Sequence, residues 1–157
     1  MDKIRVLVAD DSLFMQATYR KILETDAGLT IVATASDGPE AVRMAQDTVP
    51  DVAVLDIKMP DISGIEAAGQ ILASCPDTGI VIVSSYEDTQ YFVELLKYGS
   101  KGKAYILKAS INDIDLLIRT VRGVARGETI LDPYFSEGIQ DAAIQSVVTE
   151  QEEPEHQ

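Results

Sequence analysis

A doubly wound α/β fold, a parallel sheet with helices on both faces, is what this chain predicts, and three observations carry it. Five apolar runs, Ile4 to Ala9, Leu29 to Ala35, Asp51 to Leu55, Ile80 to Val83 and Ala104 to Leu107, each precede a segment with helical spacing. That alternation is the rhythm of a parallel sheet. The runs are rich in Val and Ile and nearly continuous in hydrophobicity, as strands are when helices cover both sides of them. The length of 157 residues, with 46% apolar and 25% charged residues, suits one ordinary globular domain.

The helices follow from caps and periodicity. Ser12 is a good N-cap for a first helix carrying Met15, Tyr19 and Ile22 on one face. Asp37-Gly38-Pro39-Glu40 opens a second, with Pro39 in the first turn where its missing N–H costs nothing. A third follows Ser63-Gly64 and runs to about Ser74, and a fourth follows Asp88 or Thr89 and ends at Gly99. For the fifth, Ser110 with Asp113 three residues on predicts a start resembling a capping box. Ile114, Leu117, Ile118 and Val121 then form one face, and Gly127 stops it. Residues 1–127 are thus expected to form one domain. Residues 128–148 are expected to be a linker with a short helix, in which Asp132-Pro133 reads as N-cap and first residue and Phe135, Ile139, Ala142 and Ala143 share a face. Residues 149–157 read as an acidic disordered tail, which contains the lone His156.

Composition excludes several classes. The net charge of −13 argues against direct binding to nucleic acid, whose affinity comes from Lys and Arg neutralising phosphates. Cations and proteins are the expected partners. No apolar run approaches the roughly 18 residues of a membrane span, and the start has neither the apolar length nor the cleavage site of a signal peptide. The cytoplasm is therefore the expected location, and the single Cys75 fits a reducing compartment as a buried small hydrophobe.

The chemistry concentrates at strand ends, where open α/β sheets collect ligands. The first strand ends in Asp10 and Asp11, the third in Asp56, the fourth in Ser84 and Ser85, and the fifth in Lys108. Three clustered carboxylates call for a counter-cation, and hard divalent ions take oxygen ligands of this kind, so Mg2+ is the expected cofactor. Lys108 adds a fixed positive charge, which suits the cleft to a dianion such as a phosphoryl group. Ser84 can donate a hydrogen bond to it, and one of the carboxylates could act as a nucleophile that forms an aspartyl phosphate.

The segments VLVADDS, DVAVLDIKMPDISG, VIVSS and AYILK, in that order and spacing, resemble the response-regulator receiver domain of two-component signalling over residues 3 to about 126. The resemblance implies a flavodoxin-like (βα)5 sheet with strand order 2-1-3-4-5. It implies Asp56 as phosphoacceptor for a histidine kinase or phosphotransfer protein, and Asp11, Asp56 and the backbone carbonyl of Lys58 as magnesium ligands, with Asp10 acting through water. Lys108 then stabilises the phosphoryl group, Ser84 is the switch hydroxyl and Tyr105 the switch aromatic. Phosphorylation would draw Ser84 inward, let Tyr105 follow, and alter the surface of the fourth helix, fifth strand and fifth helix. Lys58 and Tyr86, both large, sit where family members admit or block attacking water, so a long-lived phosphoryl group with slow autodephosphorylation is expected.

Two features go beyond the common pattern. The stretch RTVRGVARGETILDPYF is similar to the linker of NarL-class regulators, whose output is a helix-turn-helix DNA-binding domain, so the chain reads as a stand-alone receiver or as the front of a transcription factor. The connection Gly99-Ser100-Lys101-Gly102-Lys103 is about two residues longer than usual for the family. A solvated flexible loop is its plainer reading, and an altered partner surface beside the switch face the sharper one. Exposed apolar residues expected on the fourth and fifth helices suggest a homodimer, through the fourth-helix side or through the first and fifth helices. A metal-dependent phosphatase with an aspartyl nucleophile is the rival of another class, but its second acid is replaced here by Lys58. An interaction domain that is never phosphorylated fits poorly with an intact set of acids, hydroxyl and lysine.

Overall fold

The computed structural model describes residues 2–85 and 89–134. Its elements run β1 (Ile4–Ala9), α1 (Leu13–Leu23), β2 (Leu29–Ala35), α2 (Gly38–Thr48), β3 (Val52–Asp56), α3 (Gly64–Ser74), β4 (Gly79–Ser84), α4 (Thr89–Leu96), β5 (Lys103–Leu107), a 3-10 turn (Lys108–Asn112), α5 (Ile114–Ala125) and β6 (Thr129–Leu131). One sheet holds the strands in the order β2-β1-β3-β4-β5-β6, every pair parallel. The expected 2-1-3-4-5 order is present, with a sixth strand added at its edge.

Alternation along the strands divides the core into two layers. Leu7, Leu55, Ile82 and Tyr105 point to the side covered by α2, α3 and α4, where they meet Ile71, Phe92 and Leu95. Val6, Val8, Val54, Val83 and Ile106 point to the other side, where α1 and α5 supply Tyr19, Leu23, Leu117 and Val121. Because both sides of each central strand are buried, only the strand ends are free to carry polar side chains, and this sends the chemistry to the edges of the sheet.

The expected Ser12 cap of the first helix holds by accepting from Met15 N–H, and Asp37 and Ser63, at the expected helix starts, cap α2 and α3 by accepting from Glu40 and Glu66 N–H. Four expectations change. α4 ends at Leu96 rather than Gly99, because three tight turn bonds from Lys97, Tyr98 and Gly99 close it and Gly99 takes a left-handed φ of 113°. Asp113, not Ser110, caps α5 by accepting from Leu116 N–H. Ser110 lies in the preceding 3-10 turn, where its carbonyl accepts from Asp113 N–H. The stretch read as linker opens with β6. The fourth change concerns Lys103, which is no loop residue: it begins β5 and is buried, its Nζ donating to the Lys101 carbonyl at 3.0 Å. Its apolar stem packs inside while the ammonium reaches a carbonyl, and burial lowers its pKa. Lys101 and Lys103 also stand at the amino end of β5, opposite the edge that bears Lys108, so they do not flank the candidate site. The expected short helix from Phe135 onward and the acidic tail lie outside the described residues.

Candidate functional site

β1 and β3 are neighbours in register, with Ala9 beside Leu55, so the residues that follow them, Asp10 and Asp56, leave the sheet side by side. β4 pairs Val83 with Asp56 and Ser84 with Leu107, which sets Ser84 between Asp56 and Lys108. The convergence expected from strand ends is therefore a consequence of register. Asp10, Asp56 and Ser84 are all buried, while Asp11 stands exposed at the rim.

Lys108 Nζ lies 3.2 Å from Asp56 Oδ2 and 3.4 Å from Asp10 Oδ2. One ammonium thus serves two buried carboxylates. Carboxylate oxygens of Asp10, Asp11 and Asp56 lie within 4.8 Å of one another, close enough to share a metal ion. The electrostatics record the imbalance: burial, and then the charge of Asp10, push the Asp56 carboxyl above the usual range despite opposing bonds from Lys108 and the Lys58 backbone N–H. Desolvation alone would lower the Lys108 pKa, but the hydrogen bond and charge of Asp56, with Asp10, outweigh it and raise it. The donor set of three hard oxygen groups around a negative surplus fits a divalent cation such as Mg2+.

Supporting groups fix the acids in place. Asp10 Oδ1 accepts from Ser12 N–H at 2.9 Å, and Gln16 Nε2 holds the Asp10 carbonyl at 2.8 Å. The buried Tyr19 hydroxyl faces Asp10 Oδ2 at 3.5 Å, and burial followed by that charge raises its pKa. Gly64 allows α3 to start against the end of β3, because a Cβ there would lie 2.4 Å from the Asp56 carbonyl oxygen. Sequence reasoning missed Gln16 and Tyr19, which lie one and two helical turns beyond the Ser12 cap and face the strand end for that reason. It read Gly64 only as a helix start.

Tyr105 is fully buried, its ring meeting Phe92 of α4 edge to face with centroids 6.2 Å apart. Tyr86 lies outside the described residues. The most exposed large apolar residues among those described are Leu13 and Phe14 of α1, beside the acid cluster. Ile114 of α5 is also exposed, but Phe92, Leu95 and Leu96 of α4 are buried, so the expected apolar surface lies on α1 and α5 more than on α4.

Residues 6–121 match the response regulator receiver domain family. The chain belongs to that family. It is 37% identical over 129 residues to the uncharacterized transcriptional regulatory protein YxjL of Bacillus subtilis, covering 82% of this chain and 57% of that one. It is 37% identical over 134 residues to the oxygen regulatory protein NreC of Staphylococcus carnosus, covering 85% of this chain and 60% of that one. The receiver thus spans under two-thirds of the length of these relatives. The response regulator domain of Thermotoga maritima CheB superposes with a TM-score of 0.70 at 30% identity, covering 79% of this chain and 97% of that one. A signal receiver domain of a NarL-type regulator from Mycobacterium tuberculosis does so with a TM-score of 0.70 at 25% identity, covering 82% of this chain and 100% of that one. The receiver is accordingly a two-component signalling domain of the NarL and NreC class, in a family whose members accept phosphoryl groups from histidine kinases and bind Mg2+ at an acidic pocket. Among the described residues no helix is long and apolar enough to cross a membrane.

Proposed function

We propose that Asp56 is the phosphoacceptor of this receiver, and the observation that carries this is the sharing of Lys108 by Asp56 and Asp10 with Asp11 within metal-ligand reach. A carboxylate oxygen of Asp56 attacks the phosphorus of a kinase phosphohistidine. The new P–O bond forms as the P–N bond breaks, and the imidazole leaves with its electron pair. Lys108 is placed to neutralise charge on the transferred group, and the Ser84 hydroxyl to donate a hydrogen bond to it. Asp10, Asp11, Asp56 and the backbone carbonyl of Lys58 would hold Mg2+, which supplies charge neutralisation for the incoming phosphoryl oxygens. Lys58 stands where a metal-dependent phosphatase carries its second acid, so no general base is supplied for hydrolysis at that position, and autodephosphorylation is slow; Tyr86 acts with it on lifetime.

In this reading Ser84 and Tyr105 form the switch, and Tyr105 reports to α4 through Phe92. Residues 1–127 form the receiver unit, to which β6 adds an edge strand. The partner that delivers the phosphoryl group docks over Leu13 and Phe14, whose exposure beside Asp11 supports a protein contact there, and a homodimer through α1 and α5 or through α4, β5 and α5 is a further use of these faces. The likeness to transcriptional regulators supports a transcriptional output, reached through protein contacts by this acidic chain in the cytoplasm.

Incubation with Mg2+ and a small acyl phosphate, followed by intact mass, tests the proposal. The native chain gains one phosphoryl group and Asp56→Asn gains none. Equal labelling of the variant, or fast turnover of a phosphoester substrate, would overturn it.

A further inference from the structure

β6 ends in an arrangement that strand pairing alone does not require. Asp132 is fully buried and enters no ion pair among the described residues. Its backbone N–H donates to the Tyr105 carbonyl at 2.9 Å, carrying the β5 pairing one residue past β6. In a parallel ladder the next bond would run from Leu107 N–H to the Asp132 carbonyl. Here Leu107 N–H donates to the carboxylate instead, at Oδ2 and 2.8 Å. The side chain replaces the main-chain acceptor, which frees the chain to turn away at Pro133. The other oxygen, Oδ1, accepts from Tyr134 N–H at 2.8 Å, and the Tyr134 hydroxyl donates to Asp113 Oδ2 at 3.3 Å, the residue that caps α5.

One carboxylate therefore grips the residue before Lys108 on one side and the first turn of the departing chain on the other. Both bonds are short at 2.8 Å, the one from Leu107 N–H buried and the one from Tyr134 N–H only part-buried, and a carboxylate acceptor makes each geometrically strict. Holding the Leu107 backbone fixes the point from which the Lys108 side chain reaches Asp10 and Asp56.

We propose that Asp132 is a positioning residue for Lys108 and couples the phosphoryl site to the hold on Tyr134. The inference rests on the receiver reading above. Coupling of this kind is reciprocal: occupancy of the site changes the hold on Tyr134, and loosening that hold weakens occupancy. Asn at 132 keeps one carboxamide oxygen and can retain one of the two bonds, but not both.

The test uses the full chain with beryllofluoride and Mg2+ as a phosphoryl mimic, read by amide hydrogen exchange and binding titration. In the native chain loading is expected to change exchange at Tyr134 by roughly fivefold or more. In Asp132→Ala the mimic still perturbs the Asp56 and Lys108 amides, but its affinity falls by a similar factor and the response at Tyr134 disappears; Asp132→Asn lies between. A residue that merely stabilised the fold would lower the melting temperature without removing the response. Unchanged Tyr134 exchange in the loaded native chain, or a full response in Asp132→Ala, would overturn the coupling while leaving the receiver reading intact. If the native chain shows no perturbation at Asp56 and Lys108, both readings fall. Should Asp132→Ala not melt cooperatively, the same comparison is made with Asp132→Asn, where native affinity together with a native Tyr134 response overturns the proposal.

Discussion

The two ends of this sheet solve the same electrostatic problem in opposite ways. At the amino end each charged group has its own hydrogen-bond partner: the Arg5 backbone N–H donates to Asp51 Oδ2 and its guanidinium to the Val49 carbonyl, Arg122 grips Asp26 through Nε and Nη2, and the buried Lys103 ends on a carbonyl. At the carboxyl end a single ammonium is shared by two buried acids, with a third acid at the rim. The two ends differ in balance. A compensated end contributes to stability, and an uncompensated one costs stability until a cation arrives. A site can be recognised by the charge it leaves unbalanced.

Removing Lys108 should upset the balance of the carboxyl edge most severely. Lys108→Ala leaves Asp10 and Asp56 without their cation, and in metal-free buffer it is expected to cost about 3 kcal/mol in denaturant unfolding. A loss below about 1 kcal/mol would show that water already balances the acids. Next in size is Asp56→Asn without metal. The Asp56 carboxyl titrates above its ordinary range because of burial and then Asp10. An acid with a raised folded pKa favours the fold below its unfolded pKa and loses that contribution as pH rises through the folded value. At neutral pH the charge opposes folding, so the variant should melt a few degrees higher even though it cannot be phosphorylated. A lower melting temperature would contradict the imbalance.

Changes at the amino end should be smaller. Lys103 carries a pKa lowered by burial, so its protonated form opposes folding, and Lys103→Met is expected to be neutral or mildly stabilising in thermal melts. The smallest effect belongs to Asp26→Asn. The hydrogen bond from Arg122 holds the Asp26 carboxyl below its usual range. That contribution is present above the unfolded pKa, near 4, and is lost as pH falls through the folded value. The variant should therefore melt slightly lower than the native chain at neutral pH, the ion pair being partly solvent-exposed, and converge with it on the acid side.

Much of the site was legible because strand ends follow from apolar runs: Asp10, Asp56, Ser84 and Lys108 each terminate one. What periodicity cannot supply is register, and the pairing of Ala9 with Leu55 and of Ser84 with Leu107 is what turns four strand ends into one cleft. The convergence itself was expected from the strand ends of a parallel sheet, and the strand order came from the resemblance. β6 escaped notice because three residues, Thr129–Leu131, are too few to show alternation, and Asp132 beside Pro133 looks like any helix cap. Ser110 and Asp113 are both good caps, and only the 3-10 turn that follows Lys108 decides between them. Lys103 was misread because a lysine stem can lie in a strand as an apolar residue does.

The carboxyl edge is short of one cation, and Mg2+ titration of thermal stability measures that shortfall. At a metal concentration of about 100 times Kd the native chain should gain about 2.7 kcal/mol, a rise in melting temperature on the order of 5 to 10 °C. Asp11→Ala should lose most of that rise while melting no lower than the native chain in metal-free buffer. A melting temperature that ignores Mg2+, or an equal rise in Asp11→Ala, would contradict the claim.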